Sequence, residues 1–178
     1  DVSVITSLME TRLLAGNLPL FERMRRLTGP QVLWTDDEFF HAKKQEQTQR
    51  HQKFHGSAYN LEPNVKEAPG GLRDLQMIGW VAKRHFGVDT LGDLVERGFL
   101  TEQEYQELLD CQQFLWRVRF TLHTLAGRRE DVVLFDYQKQ LAAQFGYQDN
   151  TGNLAVEQFM QSYYRTVMAL GRLNERSE

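Results

Sequence analysis

The sequence predicts an all-α protein built as a bundle of helices. Apolar residues recur at three- and four-residue spacing over most of the chain, helix-capping residues precede several of these runs, and glycines follow them. The 178 residues, of which 41% are hydrophobic and 25% charged, are enough for one medium-sized core. These features favour a single bundle over most of the chain.

The first 16 residues depart from this helical pattern. The run DVSVITSLMETRLL mixes β-branched and apolar residues, with polar alternation around Leu8, Glu10 and Arg12. This fits a short strand at least as well as a helix. We therefore expect an edge strand in residues 1–16 and the helical bundle in residues 17–178.

The remaining elements are expected as helices with recognisable ends. Asn17 and Thr35 are typical N-caps, Thr101 and Glu104 form a capping-box pattern, and Gly87 is typical of a helix end. The apolar stripes between these ends predict core packing and not a cofactor site. The expected helices run from Asn17 to Gly29-Pro30 with Leu20, Met24 and Leu27 on one face, from Thr35 or Asp36 onward, from Leu72 to Gly87, from Thr90 to Glu96, from Thr101 past Leu122, from about Asp136 to Phe145, and from about Gly152 to Arg172.

The second of these helices carries the polar run KKQEQTQRHQKFHG. Lys43, Gln47 and Arg50 recur at three- or four-residue spacing, so they share one face. A charge run of this kind, taken in isolation, is typical of a solvated face with intrahelical salt bridges.

Composition limits the class of partner and the compartment. A net charge of -3 and a pI near 6.0 argue against nucleic acid and acidic membranes as general partners, and no apolar run approaches the roughly 20 residues that span a bilayer. The single cysteine, Cys111, excludes an internal disulfide framework, so we expect a cytoplasmic protein. Because the chain starts at Asp1 without a methionine, we also expect a piece of a longer protein.

Several standard reaction centres are missing from the sequence. None of the five histidines forms an H-E-x-x-H pair or a His-Asp dipeptide. His51 and His55 stand four apart and share the spacing of a metal pair, but the sequence offers them no nearby carboxylate. There is also no G-x-S-x-G, P-loop or G-x-G-x-x-G motif. A complete catalytic set is therefore absent from this sequence.

The run NLEPNVKEAPGGLRD, residues 60–74, is the strongest candidate for a binding site. Gly70 and Gly71 permit a tight turn and close approach of another group, just where a helix is predicted to begin. Free N–H groups at a helix start carry partial positive charge and commonly bind phosphate. Lys66 adds a mobile cation, and Arg73 adds a forked donor that suits phosphate or carboxylate.

Three further polar residues support the same run. Asp74 can orient Arg73 or cap a backbone group, while Asn60 and Asn64 can hydrogen-bond their own loop as well as a ligand. The structural alternative is a loop in which Arg73 pairs with a nearby carboxylate and the glycines only allow tight packing. Composition alone leaves these two interpretations open.

Read together, these motifs resemble a known bacterial family. The run KKQEQTQRHQKFHGSAYNLEPNVKEAPGGLRDLQ, with TSLMETRLLAGN before it and FLWRVRFTLH after it, closely resembles the bifunctional uridylyltransferase/uridylyl-removing enzymes that modify the PII nitrogen-regulatory protein. The resemblance covers essentially the whole chain. Ala68 departs from the glycine of many members, which puts only the flexibility of the loop in doubt.

The resemblance implies a place within a larger enzyme. Family members have, in order, a nucleotidyltransferase domain, a helical segment, a hydrolase domain and glutamine-sensing domains. Residues 1–16 would then be the end of the nucleotidyltransferase core. Residues 17–178 would be the helical segment, which would resemble a nucleotidyltransferase substrate-binding domain. Mg²⁺ would be the cofactor, held mainly by residues outside this chain, with UTP as substrate and PII as protein partner. Glutamine would act through other domains. The isolated piece would be inactive.

The resemblance also implies residue roles. Glu10, followed by Arg12, would be a third catalytic carboxylate or a metal ligand on a strand; its alternative is an ordinary exposed strand residue. The residues implied to face the UTP phosphates are Lys43, Arg50, Lys66, Gly70, Gly71 and Arg73, with Asn60, Asn64 and Asp74 supporting the motif.

Two alternatives stay open at this stage. The segment can instead be an interaction or coupling module that docks PII or relays glutamine sensing, which the wide aromatic stripes of the long helices favour. It can also belong to the related glutamine synthetase adenylyltransferases, against which the N-L-E-P run argues.

Overall fold

The computed structural model describes residues 1–29, 32–54, 56, 58, 60–88 and 90–176. Apart from one isolated bridge between Asn64 and Val132, all regular structure in these residues is helical. No helix in the described part of the chain combines the length and the apolar character needed to cross a membrane. The helices are α1 (Val2–Met9), α2 (Leu18–Leu27), α3 (Asp36–Gln52), α4 (Leu72–Phe86), α5 (Asp93–Glu96), α6 (Glu102–Ala126), α7 (Phe135–Gln144) and α8 (Ala155–Arg176).

The main core forms where α4, α6, α7 and α8 pack together. The stripe predicted on the longest helix is confirmed, because Leu108, Leu115 and Leu122 of α6 are fully buried. Phe159 and Leu170 of α8 are also fully buried in this core. The bundle therefore holds α4, whose first turn carries the candidate motif, against both long helices.

The predicted N-terminal strand is wrong, because residues 2–9 form helix α1. The Asp1 side chain accepts a hydrogen bond from the Ser3 backbone N–H at 2.9 Å and so caps this helix. Ile5 is buried and packs with Phe39 and Trp80 of α3 and α4. Burial of one helical face decided the structure here, since a strand needs a paired neighbour that the described residues do not supply. The division of the chain at residue 16 stays a prediction.

The predicted helix ends are largely confirmed. The capping boxes of α3 and α6 form as expected, the Asn17 side chain caps α2, and Gly87 ends α4 in the left-handed conformation. α8 begins three residues later than predicted, at Ala155, because Asn150 and its neighbours form a hydrogen-bonded turn. Pro30, predicted to end α2, and His55, considered as a metal ligand, lie outside the described residues.

Candidate functional site

The loop before α4 is fastened to the bundle by its own backbone. The Val65 N–H donates to the Asp131 carbonyl at 2.8 Å, and Val65 itself is fully buried. Asn64 Oδ1 accepts from the N–H groups of Lys66 and Glu67, and Asn60 Oδ1 accepts from the Glu62 N–H. Both asparagine side chains therefore stabilise the loop in the way expected of turn residues.

The two glycines are required by packing. Gly70 has φ +73°, and a Cβ there would lie 2.8 Å from the carbonyl carbon of Val167 in α8 and closer still to its oxygen. A Cβ on Gly71 would lie 2.8 to 2.9 Å from three carbonyl oxygens of its own loop. Both distances are shorter than van der Waals contact, so only glycine fits. The loop thus approaches α8 and itself as closely as backbone atoms allow.

The N–H groups at the start of α4 are already bonded. The N–H of Gly70 donates to Asp74 Oδ2 at 2.8 Å and that of Gly71 to the Ala68 carbonyl at 2.9 Å. The next N–H group, on Leu72, donates to the Val65 carbonyl at 3.1 Å. The expectation that these N–H groups are free is therefore wrong, and nucleotide binding by Gly70 and Gly71 stays a prediction.

Asp74 is the centre of a buried polar network. Its side chain is 1% exposed and accepts hydrogen bonds from Gln47 Nε2 at 3.2 Å, from Arg50 and from the Gly70 N–H, while His51 Nε2 lies 3.0 Å from both carboxylate oxygens. Burial alone would raise the pKa of Asp74, but the hydrogen bond of His51 and the charge of Arg50 outweigh it and lower the pKa. Asp74 caps a backbone group, as one alternative predicted, and it binds Arg50 rather than Arg73.

The polar face of α3 is buried, so its interpretation as a solvated face is wrong. Lys43 and Gln47 are each 3% exposed. Lys43 Nζ lies 2.7 Å from Glu46 Oε2 and 4.2 Å from the centroid of the Trp80 ring. Burial lowers the pKa of Lys43, against the opposing effect of Glu46. The periodicity of α3 and an intrahelical salt bridge, Lys43 with Glu46, were predicted correctly, but Trp80, whose ring also faces the Lys43 charge, stands on α4.

Three predicted cations converge on a carboxylate that the sequence reasoning did not single out. Glu67 Oε1 lies 3.3 Å from Lys66 Nζ and 3.5 Å from Arg73 Nη2, and Glu67 Oε2 lies 4.0 Å from Arg50 Nε. Arg73 also donates to Gln76 Oε1 at 3.0 Å. We call Arg50, Lys66, Glu67 and Arg73 the Glu67 cluster. The side chains of Lys66 and Arg73 are 19% and 28% exposed, so this cluster reaches solvent.

Glu10 stands at the C-terminal end of α1 and not on a strand. Its Oε1 accepts hydrogen bonds from Trp80 Nε1 at 3.2 Å and from Lys83 Nζ at 3.1 Å. Trp80 also lies beneath Arg73, whose guanidinium carbon is 5.8 Å from the ring centroid. Glu10 and the predicted cations therefore share one tryptophan, whereas Arg12 lies exposed in the segment after α1. The spacing of seven residues from Arg73 to Trp80, two helical turns, was the signal for this contact.

The surroundings of Glu10 bear on the metal-binding role expected of it. Among the described residues, no group of three or more His, Cys, Asp or Glu side chains is placed to hold a metal ion. Glu10 is a single carboxylate with the Lys83 ammonium 3.1 Å away, whereas Mg²⁺ requires several oxygen ligands. A catalytic or metal-binding role for Glu10 stays a prediction.

Comparison with known proteins places the chain in a family. The family model described as "GlnD PII-uridylyltransferase" matches residues 38–177. The chain is 55% identical over 175 residues to proteins of Methylococcus capsulatus, Nitrosococcus oceani and Pseudomonas aeruginosa, each named bifunctional uridylyltransferase/uridylyl-removing enzyme. These matches cover 98% of this chain and 19 to 20% of each relative, so the chain spans about a fifth of their length. No solved structure matches it. The chain belongs to the GlnD PII-uridylyltransferase family, and not to the adenylyltransferases considered as an alternative.

Proposed function

We propose that this chain is the central helical segment of a cytoplasmic bifunctional PII uridylyltransferase/uridylyl-removing enzyme, where it forms one wall of the cleft that binds UTP. The transferase moves UMP from UTP to a tyrosine of PII, and the opposing activity removes it. The observation that carries the proposal is the Glu67 cluster, in which Lys66 and Arg73 reach solvent next to the more deeply buried Arg50.

The structure divides the predicted cations into two groups. Lys43 and Arg50 form ion pairs inside the bundle with Glu46 and Asp74, so we assign them a structural role in this wall of the cleft. Lys66 and Arg73 reach solvent and have only loose contacts with Glu67, so they are the groups we assign to the phosphates. Phosphoryl and nucleotidyl transfer depend mainly on positioning and charge neutralisation, which such cations supply.

The remaining parts of the reaction belong to the rest of the parent protein. Mg²⁺ would be held there, because no group of three or more His, Cys, Asp or Glu side chains among the described residues is placed to hold a metal ion. Glutamine would also act there. We propose Glu10 as an auxiliary carboxylate that fixes Trp80 beneath Arg73. The isolated chain is expected to bind Mg-UTP weakly at most and not to uridylylate PII.

Lys66→Ala and Arg73→Ala in the full-length parent enzyme test this proposal. Each change removes a charge-assisted hydrogen bond of about 1.5–3 kcal/mol, so the KM for UTP should rise about tenfold or more while uridylyl removal stays intact. Arg97→Ala is the matched control, because Arg97 is an exposed arginine at the end of α5, outside the Glu67 cluster. An unchanged KM for UTP in both variants would reject the nucleotide contact.

A second candidate function is a module that docks PII or couples the two activities. Trp116 and Phe120 stand one turn apart on α6 with 58% and 75% of their surfaces exposed, which is unusual for large aromatic side chains. Under this alternative, Trp116→Ala and Phe120→Ala weaken PII binding or the glutamine response and leave the KM for UTP unchanged. Lys66→Ala and Arg73→Ala would then have no effect on UTP.

A further inference from the structure

Glu67 makes no short ion pair with any of the three cations around it. Its cations lie at 3.3, 3.5 and 4.0 Å. The tight ion pairs of this chain are shorter, with Lys43 at 2.7 Å from Glu46 and Arg119 at 2.6 Å from Asp131, the range usual for charge-assisted hydrogen bonds. Three cations therefore surround Glu67, but none of them forms a short ion pair with it.

Arg50 has a buried donor that the fold leaves unsatisfied. Its side chain is 10% exposed, and among the described residues its Nε has no hydrogen-bond acceptor. The nearest oxygen of Glu67 is 4.0 Å away, too far to accept, while the other end of the guanidinium is fixed by Asp74. A buried N–H without a partner costs free energy that an acceptor would recover. This donor indicates a missing oxygen next to Glu67.

The backbone of Glu67 is fixed but its side chain can move away. Its N–H is held by Asn64 Oδ1 at 2.8 Å, whereas the side chain is 31% exposed and has no tight bond. Asp74 is committed to the buried network, so it cannot neutralise Lys66 or Arg73 as well. Arg50 is paired with Asp74, so Lys66 and Arg73 depend on the one exchangeable carboxylate of Glu67, and these five side chains together keep one net positive charge.

We propose that Glu67 is a tethered counter-anion that occupies the phosphate position and is displaced when the nucleotide binds. This inference rests on the proposed function. Because the carboxylate is attached to the loop, it competes at high effective concentration, so a singly charged anion gains little by replacing it. A polyphosphate carries several charges, contacts Lys66 and Arg73 together and supplies the acceptor that Arg50 Nε lacks. Glu67 is therefore a specificity-determining residue that selects polyphosphates.

The test is Glu67→Gln in the full-length parent enzyme, with inorganic pyrophosphate and UTP as probes. Removing one charge about 4 Å from the phosphate, at the screening of exposed groups, should tighten pyrophosphate binding about fivefold and lower the KM for UTP similarly, with kcat little changed. The affinity for inorganic monophosphate should increase by at least the same factor. The ratio of pyrophosphate affinity to monophosphate affinity should therefore fall. Glu22→Gln removes the same charge from an exposed position on α2 and should change none of these values.

The outcomes separate this inference from the function on which it rests. If Lys66→Ala and Arg73→Ala weaken pyrophosphate binding but Glu67→Gln weakens it too or leaves it unchanged, Glu67 is only a structural ion pair and the inference fails alone. If Lys66→Ala and Arg73→Ala leave pyrophosphate and UTP unaffected, the proposed function fails and the inference with it. Should Glu67→Gln unfold, Glu67→Asp draws the carboxylate back from the cations and must still tighten pyrophosphate binding in the folded enzyme.

Discussion

Replacing Gly70 by alanine tests whether the motif loop is fastened to α8 through direct backbone contact. Gly70 has φ +73°, and its added Cβ would lie 2.8 Å from the Val167 carbonyl carbon. Left-handed backbone costs a residue with a Cβ about 1–2 kcal/mol, and overpacking typically adds about 1–3 kcal/mol. Gly70→Ala should therefore lower the free energy of unfolding by about 3 kcal/mol, which for a chain of this size is a fall in Tm of roughly 6–12 °C.

Urea unfolding of the chain, followed by circular dichroism, measures this loss, and two other glycines provide controls. Gly71 has φ −84°, which any residue adopts, but its Cβ would meet three carbonyl oxygens, so Gly71→Ala should cost about 1–3 kcal/mol from crowding alone. Gly79 lies inside α4 with open space around its Cβ position, and Gly79→Ala should stabilise by about 0.5–1 kcal/mol. A Gly70→Ala variant within about 0.5 kcal/mol of the parent would refute the reasoning.

Three other predictions follow from the buried groups. Asp74→Ala should lower the free energy of unfolding by about 3–5 kcal/mol, because it leaves the charge of Arg50 buried without its partner; urea unfolding with an exposed Asp37→Ala control checks this. The pKa of Asp74 is lowered in the folded state, so its stabilising contribution is complete above about pH 4 and is lost as the pH falls through the pKa of the folded protein. The free energy of unfolding should therefore drop below about pH 4. The drop should be smaller in Asp74→Asn. Burial raises the pKa of Cys111 to about 11, so its thiol should react with a disulfide reagent at pH 8 about a hundredfold more slowly than an ordinary cysteine; labelling that is equally fast with and without urea would contradict its burial.

Local signals predicted the helices well because their ends are decided within a few residues. Thr35 and Thr101 could be read as caps because each capping-box partner stands three positions away. The N-terminal element could not be read in this way. Its first residues suit a strand or a helix, and only packing of Ile5 on Phe39 and Trp80, more than 30 and 70 residues away, decides between them.

The candidate site was predicted as a set of residues but not as a geometry. The shared face of Lys43, Gln47 and Arg50 was correct, yet its burial depends on α4, which periodicity within α3 cannot show. Glu67 was missed because a lone glutamate beside a lysine has no distinctive pattern until Arg50 and Arg73 arrive from other elements. The glycines were recognised as permissive, but the carbonyl of Val167 that requires Gly70 is almost a hundred residues away.

The bonds of Asp74 and the contact of Gly70 with α8 have a mechanical consequence. Asp74 joins α3, the motif loop and α4, and Gly70 brings the same loop into backbone contact with α8, so these four parts are connected directly to one another. Any opening or closing of a cleft beside them has to bend the chain elsewhere, and in the exposed segment between α1 and α2, residues 11–17, the described hydrogen bonds go only to neighbouring residues in the sequence. The motif would then form the stationary side of the cleft, and the rest of the parent protein would move towards it.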